Sequence, residues 1–246
     1  MTELFGEFLG TFILILLGNG VVANVNLDKT HSQGGGWIVI TAGWAMAVFV
    51  AVLATADISG AHINPAVTIG LAIGGLFEWA KVIPFIIAQM AGAMVGAFTV
   101  YVFFRNHFNI TVTPGAKKAC FCTAPAIRHY RNNFFSEMTG TFILVLSVLL
   151  ITLPQLEYVS MGSTKAGLGS LGALPVALVV FSLGLSLGGT TGYAINPARD
   201  LGPRIVHTLL PLSNKDHNDW QYAWVPALGP VAGAAAAALL YWILLP

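Results

Sequence analysis

The sequence predicts an all-α, multi-pass membrane protein: six transmembrane helices plus two re-entrant half-helices, arranged as an inverted internal repeat. Three observations carry this. Of 246 residues, 56% are hydrophobic and only 9% charged, with a formal net charge of +1; soluble domains carry about a quarter charged residues. Stretches free of Asp, Glu, Lys and Arg cover 8–27, 30–56, 58–77, 82–104, 138–156, 166–198 and 220–246. A helix crosses a bilayer core with roughly 20 residues at about 1.5 Å rise each. Finally, the chain repeats itself, the mark of a duplicated architecture. Glu7-x-x-Gly10-Thr11-Phe12-Ile13-Leu14 returns 130 residues later as Glu137-x-x-Gly140-Thr141-Phe142-Ile143-Leu144, and Ile63-Asn64-Pro65-Ala66 returns 132 residues later as Ile195-Asn196-Pro197-Ala198. Gln89-Met90-Ala91-Gly92-Ala93 has a weaker echo in Pro230-Val231-Ala232-Gly233-Ala234.

Taken in order, spans are expected at 4–23, 37–56, 82–104, 134–153, 171–188 and 222–244 of a single membrane domain, 1–246. The first repeat is 1–104, the connecting loop 105–133, and the second repeat 134–246. The acidic start, Met1-Thr2-Glu3-Leu4-Phe5-Gly6-Glu7, lacks a basic leader region, so the first apolar stretch reads as a retained span. Between the second and third span of each half lies a broken segment. Proline disfavours helix at the residue before it and suits the first helical position. Residues 58–64 should therefore be extended, with a helix from Pro65 to about 77, and 188–196 extended, with a helix from Pro197 to about 210. Helices of that length rise about 20 Å and stop short of a full crossing. With three spans per half, the second repeat inserts upside down, and the two short helices meet by their N-termini at the midplane. Paired broken segments of this kind mark a transport site.

The composition also excludes classes. Spans consume most of the chain, leaving no room for a separate soluble catalytic domain. The near-neutral charge gives no reason to expect nucleic acid. Cys120 and Cys122 are too close for an unstrained bridge and too few for a metal site. His62 and His207 lack clustered partners, so no metal or other cofactor is expected, and they read as packing or vestibule residues. No nucleophile with a base and no Gly-Lys-Ser/Thr phosphate loop is visible, which argues against an enzyme or an ATP-driven pump. The competing class is an ion-coupled secondary transporter with inverted repeats, which needs an ionisable residue near the midplane. Only the duplicated pair Glu7 and Glu137 comes near that requirement.

The remaining residues read as parts of a pore. Asn64 and Asn196 stand where helix N-caps stand, and a cap uses its side-chain oxygen while leaving NH2 free to donate. The carbonyls of Gly60, Ala61, His62 and Ile63, and of Gly192, Tyr193, Ala194 and Ile195, belong to segments that no helix satisfies, and can offer a ladder of acceptors. Arg199, a charge at membrane depth, is functional or paired.

The boxes Ser59-Gly60-Ala61-His62-Ile63-Asn64-Pro65-Ala66-Val67-Thr68 and Thr191-Gly192-Tyr193-Ala194-Ile195-Asn196-Pro197-Ala198-Arg199-Asp200 resemble those of the aquaporins, and the resemblance covers nearly the whole chain. Asp200 after Arg199, Arg204, and Pro226-Ala227 in the last span resemble the bacterial glycerol facilitator branch. The resemblance implies a right-handed bundle in the bacterial inner membrane. It also implies a homotetramer in contact with lipid, and a passive channel in each protomer for glycerol, water and other small uncharged solutes that excludes protons and ions. It implies a selectivity filter of Trp44, Gly184, Tyr193 and Arg199, with glycine at 184 leaving a wider opening. Glu7 and Glu137 would accept hydrogen bonds from the box loops, and with Asp200 would support the site. Tyr193 stands where glycerol facilitators more usually carry Phe, which suggests protonated small hydroxy acids such as lactic acid as further solutes. Asp57 stands where a small residue is usual. The resemblance places both termini inside the cell and the central loop outside. That loop carries Arg105, Lys117, Lys118, Arg128 and Arg131, whereas Lys81 and Lys165 lie on the other side, so counting positive charges points the opposite way.

Overall fold

The computed structural model describes residues 1–151, 155–158, 162–165 and 168–245. In chain order the helices are α1 (Thr2–Asn26), α2 (Trp37–Ser59), α3 (Pro65–Ile73), α4 (Trp79–Phe103), the short α5 (Arg105–Ile110) and α6 (Pro114–Ala119), α7 (Tyr130–Leu150), α8 (Leu174–Ser186), α9 (Pro197–Leu209) and α10 (Trp224–Leu244). A 3-10 turn at Gly169–Ala173 leads into α8, and another at Gly188–Thr190 follows it. Among the described residues, six helices are long and apolar enough to cross a membrane: α1, α2, α4, α7, the run Gly169–Ser186, and α10. The two half-helices are α3 and α9.

Local chemistry explains where the elements end. Pro65 and Pro197 occupy the first helical turn of α3 and α9, and the preceding asparagines are extended, with φ of −157° and −156°. The first half-helix stops at Ile73, not near 77. Gly74 and Gly75 follow, and Gly75 takes φ of +75°, so the amide of Leu76 reaches the Leu71 carbonyl and that of Gly75 reaches Ala72. This is a Schellman C-cap, which a Gly-Gly pair favours. Helix α2 runs on to Ser59 and ends at Gly60, whose φ of +82° suits glycine. The fourth span ends at Leu150; the expected residues 152 and 153 lie outside the described residues. Beyond α7 the chain adds a small antiparallel hairpin, β1 (Gln155–Tyr158) paired with β2 (Gly162–Lys165). The connecting loop is likewise more ordered than a polar linker, since it holds α5 and α6.

One close helix crossing frames each half. A side chain at Gly92 of α4 would run into the Phe8 carbonyl of α1 and come within 3.0 Å of the Phe12 amide. A side chain at Gly233 of α10 would run into the Met138 carbonyl of α7 and come within 2.8 Å of the Phe142 amide. Phe8 and Met138, like Phe12 and Phe142, stand 130 residues apart, so the two crossings are equivalent. Small residues permit this backbone contact, the main source of helix association where lipid is as apolar as the side chains. The half-helices then interlock the repeats, with α3 packed on α10 and α9 packed on α4. Buried Ile15, Ala97, Val145 and Ala234 lie in the core, while Ile83, Ile87, Phe103, Leu239 and Ile243 stay exposed, as a lipid-facing surface requires.

Candidate functional site

The two half-helices face each other through their caps. Asn64 Oδ1 accepts from the Ala66 amide at 2.9 Å, and its Nδ2 donates to the Ile195 carbonyl at 2.8 Å. Asn196 Oδ1 accepts from the amides of Ala198 and Arg199 at 3.0 and 3.3 Å, and its Nδ2 donates to the Ile63 carbonyl at 2.9 Å. Each asparagine thus caps its own helix and braces the other repeat. An amide carries two N–H groups, so one of each pair remains for whatever fills the cavity that both residues line.

The segments entering the half-helices are held by buried carboxylates. Glu7 accepts from the amides of His62 and Ile63 at 2.9 and 2.7 Å, and from Ser59 Oγ and Gln89 Nε2 at 2.7 Å each. Glu137 accepts from the amides of Ala194 and Ile195 at 3.0 and 2.8 Å. Two successive amides turned to one carboxylate cannot follow the alternation of a strand. Accordingly Ala61, Ile63, Tyr193 and Ile195 all take positive φ, between +35° and +48°. For β-branched isoleucine that conformation costs about 1–2 kcal/mol, which the carboxylate bonds offset. With the amides facing the carboxylates, the carbonyls face away from them. Those of Ile63 and Ile195 take the asparagine bonds, and among the described residues those of Gly60, Ala61, His62, Gly192, Tyr193 and Ala194 have no protein donor. His62 is a packing residue: its ring lies 4.5 and 5.2 Å from Phe77 and Phe85, and its Nδ1 is 3.1 Å from Thr68 Oγ1.

Two cavities meet at three side chains. One, of about 240 Å³, extends from Leu71, Val148 and Val176 past both asparagines to Trp44, Tyr193 and Arg199. The other, of about 190 Å³, opens on the far side and is bounded by the same Trp44, Tyr193 and Arg199 together with Trp37, Lys118 and Thr123. The two cavities share these three side chains as a common wall. Arg199 Cζ sits 4.2 Å from the centroid of the Trp44 ring, and Nη1 is buried with no hydrogen-bond partner. Trp44 in turn lies over Gly18 of α1, where any side chain would overlap its six-membered ring. A Cβ at Gly184 would fall 2.8 Å from Thr41 Cγ2 and 3.0 Å from Tyr193 Cζ, so the missing side chain makes room for the Tyr193 ring. The Tyr193 hydroxyl is buried and unpartnered.

Asp200 ties this constriction to the connecting loop. It accepts from the Thr123 amide and hydroxyl at 2.8 and 2.6 Å, and from Arg204 Nε and Nη2 at 2.8 and 3.0 Å. Arg204 is fully buried and also donates to the carbonyls of Asn218, Asp219 and Thr123. Farther out, Arg128 pairs with Asp219, which holds the guanidinium pKa above its usual range. Lys117 is buried and donates to the Ser213 carbonyl at 2.6 Å, and desolvation lowers its pKa. Cys122 is buried, and desolvation pushes its thiol up to about 12. His207 is packed against Phe121 and bonded to Asn218. Asp57 is exposed in the last turn of α2 and lines neither cavity.

Sequence reasoning missed Gln89, Thr123 and Gly18. Gln89 carried a signal, because its counterpart in the weaker echo is Pro230, so only the first repeat can supply an amide to its glutamate. Thr123 and Gly18 carried none, since their partners are distant in sequence.

The profile of the family described as Major intrinsic protein matches residues 1–241. The chain is 53% identical over 241 residues to the "Glycerol uptake facilitator protein" of Streptococcus pneumoniae, with 98% of each chain covered. It is 36% identical over 240 residues to the "D/L-lactic acid transporter" of Lactiplantibacillus plantarum, covering 96% of this chain and 94% of the relative. Among solved structures it is similar to the aquaglyceroporin from Plasmodium falciparum, with a TM-score of 0.82 and 34% identity, covering 98% of this chain and 94% of the other.

Proposed function

The chain belongs to the major intrinsic protein family, and from that premise we propose that it is a passive channel for glycerol, water and other small uncharged solutes in a bacterial cell membrane. The observation that carries this reading is the pair of cavities meeting at Trp44, Tyr193 and Arg199. Two aromatic faces take the carbon edge of a polyol, and the Arg199 guanidinium takes its oxygens. Below the constriction the carbonyls of Gly60, Ala61, His62, Tyr193 and Ala194 accept from hydroxyl groups on one side. Gly192 adds its carbonyl on the outer side. At the midplane a water or hydroxyl oxygen accepts from the free N–H of Asn64 and of Asn196, and must turn its own hydrogens outward, which interrupts a proton wire. Each half-helix end contributes about half a positive charge. Against a cation about 5 Å away at an effective dielectric of about 20, their repulsion is roughly 3 kcal/mol, near a hundredfold in population. Four protomers, each with its own pore, assemble with both termini on the cytoplasmic side.

The test is uptake of labelled glycerol into proteoliposomes under an imposed proton or sodium gradient. Equilibration without accumulation, at initial rates indifferent to the ion gradient, is expected. Accumulation above the outside concentration would instead establish an ion-coupled transporter.

The unpartnered Tyr193 hydroxyl favours a second reading. Tyr193 lines both cavities, and one relative bears the name of a lactic acid transporter. Neutral lactic acid, compact and rich in oxygen, fits the same passage.

A further inference from the structure

Trp37 stands at the outer end of α2, two helical turns before Trp44. With Thr41 between them the three residues recur at i, i+4 and i+7, so they share one face of the helix. The face lies along the passage: Trp44 at the constriction, Thr41 against Gly184, and Trp37 at the wall of the outer cavity.

A tryptophan near the end of a span ordinarily anchors the helix at the membrane surface, with its N–H turned to water or headgroups. Trp37 is 38% exposed, yet its Nε1 points inward and donates to the Gly184 carbonyl at 2.9 Å. Gly184 lies in the last turn of α8, whose final carbonyls have no partner within the helix. The indole therefore closes the end of α8 at the level of the constriction. The same indole meets the Tyr193 ring edge to face, with centroids 5.7 Å apart and planes at 74°. From the other side, a Cβ at Gly188 would fall 2.5 Å from Tyr193 Cδ1 and 3.0 Å from Trp37 Cζ2. The Tyr193 ring is thus wedged among Gly184, Gly188 and Trp37, and it has no hydrogen bond of its own to fix it.

We propose that Trp37 is a positioning residue of the constriction: by bonding the Gly184 carbonyl and abutting the Tyr193 ring, it sets the width through which solutes pass. The inference rests on the reading of Trp44, Tyr193 and Arg199 as the selecting constriction. Without the indole, the ring can swing outward into the vacated space and the passage widens.

The experiment measures permeabilities of a three-, a four- and a five-carbon polyol and of water in proteoliposomes bearing wild type, Trp37→Leu, Trp37→Phe or Tyr193→Ala. Ratios of permeabilities cancel the number of inserted channels, so a merely structural loss moves every flux together and leaves the ratios alone. In Trp37→Leu, which keeps apolar bulk, the five-carbon to three-carbon ratio should rise at least threefold. Trp37→Phe keeps an edge contact but loses the N–H, and should rise less, in the same direction. Unchanged ratios in both Trp37 variants beside a shifted ratio in Tyr193→Ala would overturn the role of Trp37 alone. Unchanged ratios in all three would overturn the constriction itself, and the role of Trp37 with it.

Discussion

At the scale of single residues, the site depends on a few polar atoms placed where no partner meets them. The Tyr193 hydroxyl and Arg199 Nη1 have no hydrogen-bond partner within the protein. A solute that offers both a donor and an acceptor can pair with such groups, and an apolar one cannot. Lactic acid should therefore enter in its neutral form, while its anion is held by Arg199 with only acceptors beyond. The neutral fraction falls as pH rises, about tenfold per unit once pH is well above a carboxyl pKa near 4. Labelled lactate uptake at fixed total concentration should follow that slope between pH 5 and 7, and should weaken in Tyr193→Phe. A flat profile would contradict the neutral-acid route, and an unaltered solute ranking in Tyr193→Phe would show that the hydroxyl does not meet the solute.

At the scale of elements, α9 is the most heavily supported part of the site. Asp200 and Arg204 lie in its first two turns and are both fully buried, and they fasten it to Thr123 in the connecting loop and to Asn218 and Asp219 before α10. Removing one partner of a buried ion pair leaves an uncompensated charge and costs about 3–5 kcal/mol. Asp200→Ala should accordingly lower the apparent melting temperature of the detergent-purified protein sharply. The double change Asp200→Ala with Arg204→Met should recover part of the loss, since no charge is then stranded. A single variant as stable as wild type would mean that the network does not hold α9 in place.

The same elements show what could be read in the chain and what could not. The half-helices were legible because proline after an extended asparagine is a local signal, and the asparagine caps follow from it. The asparagine cross-brace was not, because Asn64 finds the Ile195 carbonyl 131 residues away and no local rule selects that partner. The early stop of α3 is local chemistry of Gly74 and Gly75, outweighed in the reading by an apolar run that continues to Phe77. That the space beside Gly184 is taken by the Tyr193 ring is not legible, because no local rule names that partner. Trp37 and Thr41 carried a visible spacing relative to Trp44, but one indistinguishable from ordinary helix packing.

At the scale of the whole molecule, the connecting loop is tied to the segment before α10 by its basic residues. Of the five basic residues in that loop, Lys117 is buried on the Ser213 carbonyl, Lys118 pairs with Asp216 at 2.5 Å, and Arg128 pairs with Asp219. The inverted repeat also brings two like-signed helix ends together at the midplane, braced by Asn64 and Asn196, an arrangement that favours neutral solutes in either direction.

The central claim, a pore that passes polyols while rejecting protons, is tested most directly by following both in the same vesicles. Proteoliposomes loaded with a pH-sensitive dye and given an outward glycerol gradient and an imposed pH difference report volume by light scattering and proton leak by fluorescence. The expected result is a glycerol permeability at least tenfold above protein-free vesicles, with a pH difference that decays no faster than theirs. A proton leak that rises in step with the glycerol flux would contradict it.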